Sequence, residues 1–100
     1  MDVSQYSESI AASQRIGMVA SVGLKKPAVE AFAAENGIDK WDAPVIMAAV
    51  ALGASAEKAE AIASNGSAFT KKEVPASQYK STGHWGSEEI YYIQIQTRYL

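Results

Sequence analysis

One hundred residues without a cysteine must close around ordinary apolar packing, because two half-length domains would each be too small to bury a core unaided by disulfides or metals. Hydrophobic residues make up 48% of the chain, with two Trp, five Tyr and two Phe, which supplies a core and excludes the disordered class. Nine Lys and Arg against eleven Asp and Glu leave a net charge of −2, so the basic footprint of a protein that holds nucleic acid by neutralising phosphates is missing.

The composition shifts at Asn65-Gly66, which divides a single domain, residues 1–100, into a helical part over 1–66 and a β part over 67–100. A first helix is expected from near Ser4, with Ala12, Ile16, Val19 and Ala20 spaced along one face and Gly23 as its stop. Pro27 opens a short second helix whose inward stripe is Val29, Phe32 and Ala33, closed by Asn36-Gly37 as a left-handed cap. Asp42 before Ala43-Pro44 predicts an N-cap, and the helix that follows to Leu52 is almost wholly apolar, which suits the buried centre of a bundle. Ser55 caps a fourth helix with Ala59, Ile62 and Ala63 inward. Beyond it Ala68 to Val74 reads as a strand that Pro75 terminates, Ala76 to Thr82 as a possible second, and residues 83–87 as a loop. Glu88 to Tyr99 is the strongest strand, with Tyr91, Ile93, Ile95 and Thr97 on one face and Ile90, Tyr92, Gln94 and Gln96 on the other. The expected fold is thus α+β: a four-helix N-terminal bundle containing a helix-turn-helix-like pair, followed by a small antiparallel β-sheet of two or three strands.

Inventory argues against catalysis and against cofactors or metals. With no Cys and a single His, His84, neither a thiol nucleophile nor a multi-histidine metal site can be assembled. Asp39 and Asp42 are three apart, but capping and loop solvation account for them. Glu88 and Glu89 begin a strand and so point to opposite faces. No Gly-rich phosphate cradle is present. The polar, acidic start Met1-Asp2-Val3-Ser4-Gln5 lacks the basic region of a signal peptide, and no run approaches the ~20 apolar residues of a membrane span. A cytoplasmic protein with no membrane partner is expected.

One pattern rises above background. The run from Ala48 through Leu52-Gly53-Ala54-Ser55 to Ile62, within residues 45–66, resembles the helix-turn-helix of Cro-like phage repressors. In that family a small residue, here Ala49, precedes the turn glycine, here Gly53, by four, and apolar residues such as Ala59 and Ile62 recur in the second helix where the two cross. The resemblance implies a DNA-reading second helix. Its exposed positions here, Ala56, Glu57, Lys58, Glu60, Ala61 and Ser64, offer two anions and no Arg, Asn or Gln for base contacts. The same residues also resemble a helix-hairpin-helix, with Ser55 in place of its second glycine. An acidic face on such a shape suits a basic protein better than a DNA groove.

The residues expected to meet a partner are therefore Glu57, Lys58 and Glu60 on the fourth helix, the aromatic anchors Tyr79 and Trp85, and a cationic edge of Lys71 and Lys72, joined by Lys80 and Arg98 if the sheet pairs as drawn. Lysines there also suit a solvated edge that discourages strand pairing. Trp41 reads as a staple at the start of the third helix, or as an indole offered to a partner. Size and charge are similar to those of small phage anti-CRISPR proteins, which implies a non-catalytic inhibitor, monomer or homodimer, that docks on a host protein complex handling nucleic acid. A helix-turn-helix transcriptional regulator and a virion or other structural subunit are the alternatives.

Overall fold

A computed structural model of the chain describes residues 10–16, 19–75 and 89–100, the first segment by its backbone alone. The elements are β1 (Ile10–Ile16), β2 (Val19–Lys25), α1 (Lys26–Asn36), α2 (Ala43–Ala51), α3 (Ala56–Ala63), β3 (Phe69–Pro75) and β4 (Glu89–Gln96), with a 3-10 turn at Thr97–Tyr99. The expected four-helix N-terminal bundle is overturned. Among the described residues the order is β-first, three helices follow, and the stretch assigned to a first helix is an antiparallel pair of strands.

The spacing that suggested that helix has a second solution. Val19 through Lys25 alternates, and Ala20, Val22 and Leu24 fall on one face of β2, all buried. β-branched and small residues satisfy a half-buried pleated surface as well as a helical stripe, and the neighbouring strand decides between them.

That neighbour is β4. The sheet has the order β1-β2-β4-β3 with every adjacent pair antiparallel, so β4 is central and β3 forms one edge. Ala20, Val22 and Leu24 of β2 lie opposite Ile95, Ile93 and Tyr91 of β4. Phe69, Lys71 and Glu73 of β3 lie opposite the same three residues from the other side. This face carries the three helices: Val22, Leu24, Ile93 and Ile95 share one apolar cluster with Val29, Phe32, Val45, Met47, Ala59 and Ile62. Each fully buried Val, Leu, Ile or Phe side chain contributes about 1.5–3 kcal/mol.

The opposite face is polar at its middle. Tyr92 donates its hydroxyl hydrogen to Ser21 Oγ at 3.3 Å, Gln94 Nε2 donates to the Tyr92 hydroxyl at 3.4 Å, and Thr70 Oγ1 donates to Gln94 Oε1 at 3.3 Å. The ladder gives buried Ser21 a partner, which a hydroxyl out of water requires.

The helices follow the expected local logic with one exception. Pro27 sits in the first turn of α1, Val29, Phe32 and Ala33 are buried, and Gly37 closes the helix at φ 62, its amide donating to Ala33 O. In α2 every residue from Ala43 to Ala49 is buried. Asp42 occupies the N-cap of α2, but its carboxylate makes no capping bond. The preceding turn does that work, with Asp39 O accepting the amides of Asp42 and Ala43 at 3.0 and 2.9 Å.

Candidate functional site

Two surfaces carry the candidate site, and the first is the α2–α3 pair. Gly53 takes φ 102 in the turn, a conformation that L side chains rarely adopt, and this lets the Ala54 amide reach back to Ala49 O at 2.9 Å. Ala49, Ala59 and Ile62 are buried, and the two alanines allow a close approach of the kind that many tight helix pairs share. An added Cβ at Gly53 meets nothing within 4 Å, so Gly53→Ala should cost only the backbone strain, about 1–3 kcal/mol in a urea titration. A neutral or stabilising result would show that the turn relaxes.

Ser55 caps α3 as expected, its Oγ accepting the Lys58 amide at 3.2 Å. Glu57 and Glu60 are exposed, and neither carboxylate meets a cation among the described residues. Lys58 is turned away from both, its Nζ donating to the main-chain oxygen of Leu100 at 3.0 Å. The exposed charges of α3 are therefore two anions without a cation partner among the described residues and one lysine held at Leu100.

The second surface is a cleft of about 410 Å³ lined by Lys40, Trp41, Lys71, Glu73 and Tyr91. Trp41 is 76% exposed, which corrects its reading as a helix staple. Asp39 Oδ1 accepts the Trp41 amide at 2.8 Å, fixing the turn before α2. Lys71 reaches up from β3, donates to Trp41 O at 2.8 Å and lies 4.5 Å from the centre of the indole, a cation–π arrangement. Burial pulls the Lys71 ammonium below its usual range, against the opposing pull of Asp42 and Asp39. Burial also pushes the Tyr91 hydroxyl up.

Beside the cleft, Lys26 Nζ lies 3.0 Å from Glu73 Oε2. A hydrogen bond shared with Glu89, and then the one from Lys26, hold Glu73 below the ordinary carboxylate range, whereas Glu73 pushes Glu89 above it. Glu73 thus favours folding above the unfolded carboxylate pKa, and that gain is lost as pH falls through its folded value. Glu89 favours folding at low pH, and its gain is lost as pH rises through its own. The two gains overlap around the unfolded carboxylate pKa, so the pair should give a shallow stability maximum there and two displaced midpoints in site-resolved NMR titration. Glu73→Gln should return Glu89 toward the ordinary range, and a Glu89 midpoint that stays put would rule out the coupling.

The structure separates the sequence-predicted residues. Lys71 and Lys72 are consecutive on the edge strand β3, with their side chains on opposite faces of the sheet. Arg98 lies in the 3-10 turn against the Tyr99 ring. Tyr79, Trp85, Lys80 and His84 fall outside the described residues, as does the strand expected from Ala76. Sequence reading missed the cleft because its walls come from the turn before α2 and from β3 and β4. Among the described residues no helix is long and apolar enough to cross a membrane. No protein-family model matches this chain, nor does any curated protein or solved structure.

Proposed function

We propose that this chain is a small non-catalytic binding protein of the phage or mobile-element type, similar in role to anti-CRISPR inhibitors, that docks on a host protein complex handling nucleic acid. The observation that carries the reading is the outward face of α3, where Glu57 and Glu60 meet no cation among the described residues and Lys58 is held by Leu100. Such a face repels a phosphate backbone and complements the Lys and Arg surface of a protein built to hold one. The exposed indole of Trp41 adds an aromatic anchor on a second surface. Binding of this kind requires no catalytic group and no cofactor.

The test uses the purified chain as bait in nuclease-treated lysate of its native host, beside the Glu57→Lys/Glu60→Lys variant. The expected result is a protein complex that survives nuclease and is lost with the charge-reversed bait, together with no shift of duplex DNA at low salt. A salt-sensitive complex with a defined duplex, abolished by Lys58→Ala, would establish the helix-turn-helix regulator instead.

A further inference from the structure

The edge strand β3 pairs with β4 on one side and with no strand on the other among the described residues. Gln96 donates its amide to Ala68 O at 2.9 Å, and Phe69 lies opposite Ile95. In an antiparallel ladder this fixes the alternation: the peptide groups of Ala68, Thr70, Lys72 and Val74 turn toward β4, and those of Phe69, Lys71 and Glu73 turn outward. Among the described residues these outward groups have no hydrogen-bond partner. Pro75, the next outward position, has no amide hydrogen and so sets a limit to any ladder added there.

We propose that two copies of this chain join through β3, antiparallel about a two-fold axis at Lys72, to make one continuous sheet across the dimer. The register follows from charge. With the axis at Lys72, Lys71 of each protomer faces Glu73 of its partner, and Thr70 faces Val74. An axis at Lys71 sets that lysine against itself, and an axis at Glu73 does the same to the glutamate. Only the Lys72 register pairs opposite charges on the helix-covered side, where a cross-strand ion pair stabilises and a like pair does the reverse. It also matches outward peptide groups with outward peptide groups, giving about six new hydrogen bonds, the last from each Phe69 amide to the partner's Pro75 carbonyl.

The cost lies on the opposite side of the sheet. There Lys72 meets the Lys72 of the other copy, but both side chains are exposed and free to diverge into water. Lysines at an edge ordinarily ward off pairing; here Glu73 answers Lys71 and converts a repulsive pattern into a self-complementary one. The ion pair already made by Lys26 and Glu73 then extends across the seam to the partner's Lys71. Trp41, held over Lys71 on the helix side, flanks the seam, where a second copy would cover part of its exposed ring. This inference is independent of the acidic face of α3, which lies on a different element.

Sedimentation of the full chain from about 10 µM to about 1 mM, a range suited to a small interface, should show the mass rising toward that of a dimer. Lys71→Glu and Glu73→Lys should each weaken association at least about tenfold, whereas Lys71→Glu/Glu73→Lys, which swaps the charges and keeps them opposite, should restore it. Hydrogen exchange on the unaltered chain gives a second reading that needs no variant. The amides of Phe69, Lys71 and Glu73 should slow as concentration rises, while Thr70 and Lys72 stay protected throughout. A monomer at every concentration, or a dimer indifferent to the single reversals, overturns the proposal. So does a dimer that the double swap fails to rescue, or one whose three outward amides exchange unchanged because another surface holds it.

Discussion

Phe32→Ala should lower the unfolding free energy by about 3–5 kcal/mol, the usual range for truncating a fully buried phenylalanine. Phe32 has no exposed surface and belongs to the cluster that joins α1 to α2 and to the sheet through Val22, Leu24 and Ile93. Its neighbours are held by a hydrogen-bonded sheet on one side and by the wholly buried stretch of α2 on the other, so the cavity cannot collapse cheaply. Set against the roughly 5–15 kcal/mol that stabilises a domain, the loss leaves little margin. The melting temperature should fall by roughly 12–40 °C at about 4–8 °C per kcal/mol. An unfolding free energy from urea titration lowered by less than about 1 kcal/mol would place Phe32 outside the core.

Ile93→Ala should cost about 2–5 kcal/mol, and position in the sheet decides the size. Ile93 is fully buried at the middle of β4, opposite Val22 on one side and Lys71 on the other. Strands on both flanks prevent β4 from moving into the void. Val74 supplies the comparison, since it lies on the edge strand, only half-buried, and faces away from the helices. Val74→Ala should cost less than about 1 kcal/mol, because a partly exposed side chain forfeits little transfer energy and an edge can relax. Equal losses at the two positions would mean that β4 is not the centre of the sheet.

Legibility in the sequence followed the range of the interaction that decides each element. The helices from Lys26 to Ala63 were readable because their signals are local: Pro27 and Gly37 bracket α1, Ser55 caps α3, and the apolar stripes hold Phe32 and Ile62. The course of β4 was readable from its β-branched and aromatic residues, with Ile93 and Ile95 on one face and Gln94 and Gln96 on the other, although the strand expected to run to Tyr99 ends at Gln96 and passes into the 3-10 turn. What could not be read was the state of residues 10 to 25, where Ala20 and Val22 satisfy two periodicities and the choice depends on Ile95 and Ile93, more than seventy residues away. Of the candidate surfaces, the acidic face of α3 follows from helical spacing alone. The Trp41 cleft does not, because Trp41, Lys71 and Tyr91 meet only after β3 has paired with β4.

The central place of β4 also sets a timetable for the nascent chain. It is the last strand in chain order, yet it fills the slot between β2 and β3, so a ribosome adding about 5–20 residues per second exposes β2 and three finished helices for seconds before their keystone is made. Joining Ala20 to Ile95 closes a loop of about three quarters of the chain, and the entropy of that closure falls before any contact across it is rewarded. Synthesis therefore delivers helices early and a protein late, and in that interval the uncovered apolar side of β2 is the surface that a chaperone would hold.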